Sequence, residues 1–404
     1  MLRIAAYDSP TPYPDVSVPG HDPSALQKTR DGHFVMLVTA SGGGEALGLR
    51  FLDPADYGAG FKQGAQSYDT PGWLNRYGYP CAQNGGVCPF WAPDLPSNTQ
   101  VSDDLTLYFS VPELVHSNVY CIGRAIGTFA RATIEWQHDR EPVLCTNMSA
   151  TPGAPRAIDP SVVAARDGRL WLSFGSFSPG GIAVVELNAT TGALTDAALS
   201  QCGAAFPYCV GSAVNVANRW CRTHDGPANG SRTWCPPSSR IGEDALEASY
   251  LYERAAGDFY LFVDYFSCCR GMDATYELRV GRAAAPTGPF VGRDGAPMAD
   301  GGGALVLGSV TSTAAHRLVG PGHAGILAAS VADGGDDVLT FDFQGVDGAE
   351  YRPQARALRW DDDGWPVVSD RNFVPQPPRA GVGVQRAHRR LGVLRGSGEV
   401  VWRL

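Results

Sequence analysis

Three carboxylates stand in settings suited to moving protons. Asp22 lies in Gly20-His21-Asp22-Pro23-Ser24 and Asp159 in Ala157-Ile158-Asp159-Pro160-Ser161. A residue before proline is kept out of the helical region, so Asp22 is expected to project from a fixed, extended backbone. Glu247 opens the run Leu246-Glu247-Ala248-Ser249-Tyr250-Leu251-Tyr252. Burial in such apolar company raises a carboxyl pKa and makes a proton donor, unless a cation pairs with it. Three acids gathered at one place could divide the splitting of a glycosidic bond. One would protonate the leaving oxygen and a second would activate water or attack carbon. The charge of the third would raise the pKa of the donor. An aromatic at the same mouth, such as Trp91, would stack on a sugar ring. Rival chemistries lack their residues. Gly42-Gly43-Gly44 and Gly301-Gly302-Gly303 have none of the partners of a phosphate or dinucleotide loop, and no Ser-His-Asp elbow is present. No Cys-x-x-Cys pair or clustered Cys/His spacing suggests zinc.

Something must bring these residues together. The stretch Leu246 to Phe290 holds three apolar, aromatic-rich runs parted by turn residues, which predicts an antiparallel meander. Similar runs lie at His33–Thr39, Leu105–Val111, Leu170–Phe177 and Val338–Phe343. Polar landmarks precede them at Asp22, Asp94, Asp159, Glu247 and His323, spaced by 72, 65, 88 and 76 residues. Asp94 sits in Phe90-Trp91-Ala92-Pro93-Asp94 and His323 in Gly320-Pro321-Gly322-His323. Five quasi-regular units predict an all-β, five-bladed β-propeller with one polar residue per blade aimed at the axis. Each unit exceeds the ~40–45 residues of common blades, so long loop insertions are expected. A pair of β-sandwiches is the rival architecture. One catalytic domain over 1–404 is expected, with its core at about 18–370; the tail 371–404 carries no assigned role.

Composition narrows the partners. The chain has 404 residues, 44% of them hydrophobic, with 49 glycines and 30 prolines, which suits a large core and many tight turns. A net charge of -9 argues against nucleic acid and anionic membranes, whose phosphates need a basic face. No run of 18 apolar residues is present to span a bilayer. The 10 cysteines point to an oxidising compartment. Sequons at Asn147, Asn188 and Asn229 agree, and predict a glycoprotein. The first residues hold no signal-peptide segment, so a secreted enzyme whose leader is not in this sequence is expected; a cytosolic protein with free thiols is the alternative. Local pairing would join Cys81 with Cys88, Cys202 with Cys209 and Cys221 with Cys235, making the insertions cysteine-rich. Cys121 and Cys145 could pair with each other. The adjacent Cys268 and Cys269 form either a vicinal disulfide or buried thiols.

Nine motifs in order carry a resemblance: His21-Asp22-Pro23-Ser24, Trp91-Ala92-Pro93-Asp94, Ala157-Ile158-Asp159-Pro160, Gly175-Ser176-Phe177, Glu247-Ala248-Ser249-Tyr250, Cys268-Cys269-Arg270-Gly271, Val280-Gly281-Arg282, Thr287-Gly288-Pro289-Phe290 and Gly320-Pro321-Gly322-His323. Over about residues 18–370 the chain resembles glycoside hydrolase family 43, most of all its endo-1,5-α-L-arabinanases. The resemblance implies a five-bladed propeller and an inverting mechanism that cuts arabinan internally. Asp22 becomes the general base, Glu247 the general acid, and Asp159 the residue that orients Glu247 and tunes its pKa. Substrate contacts fall to His21, Trp91, Asp94, Ser176, Phe177 and Arg356. His323 resembles a histidine beside a channel ion, often calcium, which would be held mostly through water because calcium prefers oxygen. A monomer acting on a poly- or oligosaccharide is expected, with no organic cofactor. Arg156 replaces a usual Asn, Ser178 a usual Trp, and Leu114 stands where an aromatic is common. These departures bear on the sugar bound. They keep an exo-acting arabinofuranosidase or β-xylosidase in view; a non-catalytic glycan-binding propeller is the reading from another class.

Overall fold

The computed structural model describes residues 19–375, apart from 40–46, 69–70, 77–88, 97–100, 112–117, 178–179, 204–206, 219–244, 310–317, 333–334 and 345–349. The described strands form five sheets, each built from one continuous stretch of chain. Blade 1 holds β1 (Gln27–Lys28), β2 (Phe34–Thr39), β3 (Leu47–Leu52) and β4 (Lys62–Gln63). Blade 2 holds β5 (Ala65–Tyr68), β6 (Trp91–Asp94), β7 (Asp104–Val111), β8 (Val119–Ala130), β9 (Thr133–His138) and β10 (Leu144–Asn147). There β5 adds parallel to β9, and β10 pairs with β8. Blade 3 is β11 (Ser161–Ala164), β12 (Leu170–Phe174), β13 (Ile182–Leu187) and β14 (Val214–Ala217). Blade 4 is β15 (Leu246–Ala255), β16 (Asp258–Tyr265), β17 (Glu277–Ala283) and β18 (Ala304–Leu307). Blade 5 is β19 (Val319–Leu327), β20 (Asp337–Gln344), β21 (Tyr351–Trp360) and β22 (Pro366–Asn372). This is the expected five-bladed propeller, and the meander of the 246–290 stretch forms three strands of blade 4.

The core lies between blades rather than in a single centre. Five hydrophobic clusters each span two neighbouring blades. Strand periodicity explains this, because successive side chains leave opposite faces. On β2, Val35 and Leu37 pack towards blade 2, whereas Phe34, Met36 and Val38 pack towards blade 5. On β15, Leu251 faces blade 3 while Tyr250 and Tyr252 face blade 5. Each such fully buried side chain contributes roughly 1.5–3 kcal/mol. Among the described residues no strand is exchanged to shut the ring. The seam between blades 5 and 1 is closed by the apolar cluster of Leu26, Phe34, Val338 and Phe373 and by Thr340 Oγ1 donating to the Ser24 carbonyl.

Disulfides join Cys121 to Cys145, Cys202 to Cys209 and Cys268 to Cys269. The first ties β8 to β10. The second closes the end of helix α1 (Asp196–Cys202), whose N-cap Thr195 accepts from the Ala198 N–H. The third resolves the open choice at Cys268–Cys269 in favour of the vicinal bond. The expected pairs Cys81–Cys88 and Cys221–Cys235 lie outside the described residues, as do Asn229, Leu114, Ser178 and the tail beyond 375.

Candidate active site

Each blade has a residue in the left-handed region within or shortly before its innermost strand: Asp22 (φ 51), Ala92 (φ 45), Asp159 (φ 55), Ala248 (φ 51) and His323 (φ 56). The extended backbone expected for Asp22 is therefore corrected. Left-handed backbone is uncommon for residues other than glycine and persists only where the surroundings hold it. Here the hold is a hydrogen bond from that residue's N–H to a polar side chain of the preceding blade. Asp22 donates to Asp342 Oδ2 (2.7 Å), Ala92 to Thr39 Oγ1 (2.8 Å), Asp159 to Ser110 Oγ (2.8 Å) and His323 to Asp264 Oδ2 (2.5 Å). Blade 4 differs. Ala248 donates to Asp159 Oδ2 at 3.1 Å, while Ser249 Oγ reaches Ser173 Oγ at 3.0 Å. The exception sets the orientation of Asp159 towards the Glu247 segment.

The same turns correct two landmarks. The left-handed positions are Ala92 and Ala248, not Asp94 and Glu247. Asp94 is buried and accepts from the Val162 N–H at 2.8 Å, so it braces blade 3. Glu247 precedes its turn residue and pairs with Asp264 across the sheet, next to an irregularity in the register.

A cavity of about 540 Å³ opens at these turns, lined by Asp22, Asp159 and Glu247 together with His21, Thr39, Trp91, Tyr120, Arg156, Ile158, Ser176, Phe177, Cys268, Cys269, Tyr276 and His323. The three acids named from sequence thus meet in one place. His21, Trp91, Ser176, Phe177 and His323 join them; Asp94 and Arg356 are not among the lining residues. Arg356 sits on β21, with its Nε 3.1 Å from Gln354 Oε1 and its guanidinium over the Phe341 ring. Trp91 is 44% exposed, an apolar ring left at the cavity for a ligand to cover.

The acids are held in opposite protonation states. Asp22 Oδ2 accepts from Thr39 Oγ1 at 2.8 Å, and its Oδ1 lies 3.2 Å from His21 Nδ1 and 3.1 Å from His323 Nδ1. Burial opposes its ionisation, but the two imidazoles prevail and hold the carboxyl well below its usual range. Their own pKa values respond in kind. Burial, the largest single influence, lowers each, yet the Asp22 charge and hydrogen bond together with the charges of neighbouring carboxylates such as Asp342 outweigh it and lift His21 to about 10 and His323 to about 9. Glu247 accepts from Ser176 Oγ at 2.7 Å and Tyr276 Oη at 2.8 Å. Burial first and the Asp159 charge second push it up to about 8, against the pull of those two donors. Burial likewise lifts Asp159 to about 6.

Glycines let the framework close around Glu247. A Cβ on Gly322 would fall 2.4 Å from the Tyr276 ring and 2.6 Å from Asp264 Oδ2, so this motif glycine makes room for the tyrosine that donates to Glu247. Gly175 has φ +137, and a Cβ there would meet the Gly181 carbonyl at 2.2 Å; the residue after it is Ser176.

His323 would leave a channel ion to be held mostly through water. Its Nδ1 is engaged with Asp22, and calcium takes about 6–8 oxygen ligands. Tyr276, Thr39, Asp264, Asp342 and Tyr351 were not singled out from sequence. Thr39, Asp264 and Asp342 each interrupt or end an apolar run as its polar residue, and that pattern could have found them.

The model of glycosyl hydrolases family 43 matches residues 83–366. The chain belongs to that family. Among curated family relatives, it is 29% identical over 285 residues to the extracellular exo-α-(1→5)-L-arabinofuranosidase ArbA of Cellvibrio japonicus, covering 70% of this chain and 71% of that one. It is 28% identical over 288 residues to the extracellular endo-α-(1→5)-L-arabinanase 1 of Bacillus subtilis, covering 71% and 72%. The α-L-arabinanase of Cellvibrio cellulosa, solved with arabinohexaose, superposes with a TM-score of 0.63 at 23% identity over 89% of this chain and 99% of the other, which bears on the fold. This family 43 chain is an arabinanase-like glycoside hydrolase. No described helix is long and apolar enough to cross a membrane.

Proposed function

We propose that this family 43 enzyme hydrolyses internal α-1,5-linked L-arabinofuranosyl bonds of arabinan, as a secreted monomer, with inversion at the anomeric carbon. The observation that carries the reading is the opposite bias of two acids in one cavity: Asp22 kept ionised, Glu247 kept protonated. Water placed against Asp22 loses its proton to that carboxylate while its oxygen attacks the anomeric carbon. The bond from that carbon to the leaving oxygen breaks, and Glu247 delivers its proton to the departing alcohol. Asp159 holds the backbone beside Glu247 and keeps its pKa high. Trp91 and Phe177 supply ring faces for the sugar.

The test is product analysis on linear arabinan beside xylan and aryl glycosides. Short mixed oligomers from arabinan are expected, with the β anomer appearing first by NMR. Glu247→Gln should lose about a thousandfold in kcat, within the range of a lost general acid. Wild-type turnover by that variant would remove the mechanism. Release of monomer alone would favour exo cleavage, the activity named for the Cellvibrio japonicus relative.

A further inference from the structure

The mechanism above makes no use of the Cys268–Cys269 disulfide, yet both cysteines line the catalytic cavity. Their sulfurs and a ring nitrogen of His21 lie within 4.8 Å of one another. His21 in turn stands 3.2 Å from Asp22 Oδ1. The pair is one side chain removed from the carboxylate that activates water.

The loop that carries it is fastened in place. Phe266 (φ 73) and Cys269 (φ 62) both adopt left-handed backbone, which side chains other than glycine adopt only under constraint. The Cys269 N–H donates to Tyr351 Oη. The Tyr351 ring packs on His21 with centroids 4.0 Å apart. One tyrosine of blade 5 thus ties the cysteine loop to the neighbour of the base. On the other flank, the Thr275 N–H donates to the Ser267 carbonyl at 3.0 Å.

Sulfur is soft and polarizable, and a disulfide lacks the S–H donor of a thiol. Bonding adjacent cysteines also removes the free rotation of two separate thiols. A furanose ring offers a C–H face as well as hydroxyls. In this cavity the hydroxyls have carboxylates and imidazoles to meet; the C–H face has Trp91, Phe177 and the sulfur pair. We propose that the Cys268–Cys269 disulfide is a sugar-binding surface, a ledge for the C–H face of the arabinofuranosyl ring at the scissile bond, with Tyr351 as its positioning residue. The proposal rests on the arabinan-hydrolysing reading above.

The test is calorimetric binding of a linear arabino-oligosaccharide to Glu247→Gln enzyme, with and without Cys268→Ala/Cys269→Ala. Loss of the ledge should raise Kd about tenfold, and in the Glu247 background raise KM while kcat moves less than about threefold. If the double alanine variant fails to fold, Tyr351→Phe replaces it, since it removes only the hydroxyl that holds Cys269; a Kd raised about threefold is then expected. An unchanged Kd beside a wild type that hydrolyses arabinan overturns the ledge alone. No binding by Glu247→Gln, together with no sugar released by the wild type, overturns the ledge and the function together.

Discussion

Glu247 and Asp22 bear the same functional group, and their neighbours send them in opposite directions. Burial is common to both. The difference is that Asp22 faces His21 and His323, whereas Glu247 faces the charge of Asp159. Catalysis that needs Glu247 protonated should therefore lose kcat/KM as pH rises through about 8. Two substitutions should move that alkaline limb oppositely. Asp159→Asn removes a charge that raises the Glu247 pKa, so the limb shifts to lower pH. Ser176→Ala removes a donor that stabilises the ionised form, so the limb shifts up. A shift of about one unit is a fair scale, equal to about 1.4 kcal/mol between protonation states. pH profiles of the two variants check this; limbs moving the same way would refute the assignment of Glu247.

At the scale of the element, the recurring device is an inner-strand turn in the left-handed region, tied by its N–H to a polar side chain on the preceding blade. Ser110 shows what it is worth. Ser110→Ala would leave the Asp159 N–H without its acceptor in a buried setting, a cost of about 1–3 kcal/mol. Thermal unfolding should show a lower midpoint. Turnover should fall too, because Asp159 depends on that turn for its aim. The device was half legible. Thr39, Ser110, Ser173, Asp264 and Asp342 stand in apolar runs plain in the sequence, each as a polar interruption or end. Their acceptor role was not legible, since it needs the neighbouring blade. Asp94 misled for the same reason: its motif marks the turn, but the turn residue is Ala92 and the carboxylate points to Val162.

At the scale of the whole molecule, acids and imidazoles from all parts of the ring share one buried axis, and pH should act on the fold as well as on turnover. His21 and His323 have folded pKa values raised to about 10 and about 9. Stability from such groups is complete below the unfolded value of about 6.5 and is lost as pH rises through the folded values. Glu247 and Asp342, raised to about 8 and about 6, act with the same sign at lower pH, because the folded state binds more protons. Asp22, depressed, acts oppositely: its contribution is present above the unfolded value of about 3.9 and is lost on acidification. The unfolding midpoint should therefore fall between about pH 6.5 and about pH 10. A rising midpoint across that window would contradict the charge arrangement at the axis.

The sequence by itself determined the all-β class, the count of five repeats and the identity of the three acids. Strand period, turn residues and proline- or glycine-stiffened motifs are local, and local patterns survive in a linear text. It also supplied the pairs Cys202–Cys209 and Cys121–Cys145. The family resemblance named Asp22 as base and Glu247 as acid, but only the tertiary structure shows what holds them apart, because that depends on His323, Asp159 and Tyr276 arriving from three different blades. Only it excluded Asp94 and Arg356 from the cavity and brought Tyr351 and the Cys268–Cys269 bond to its wall. Proximity across a closed ring is set by five packed interfaces acting together, and no stretch of chain records it alone.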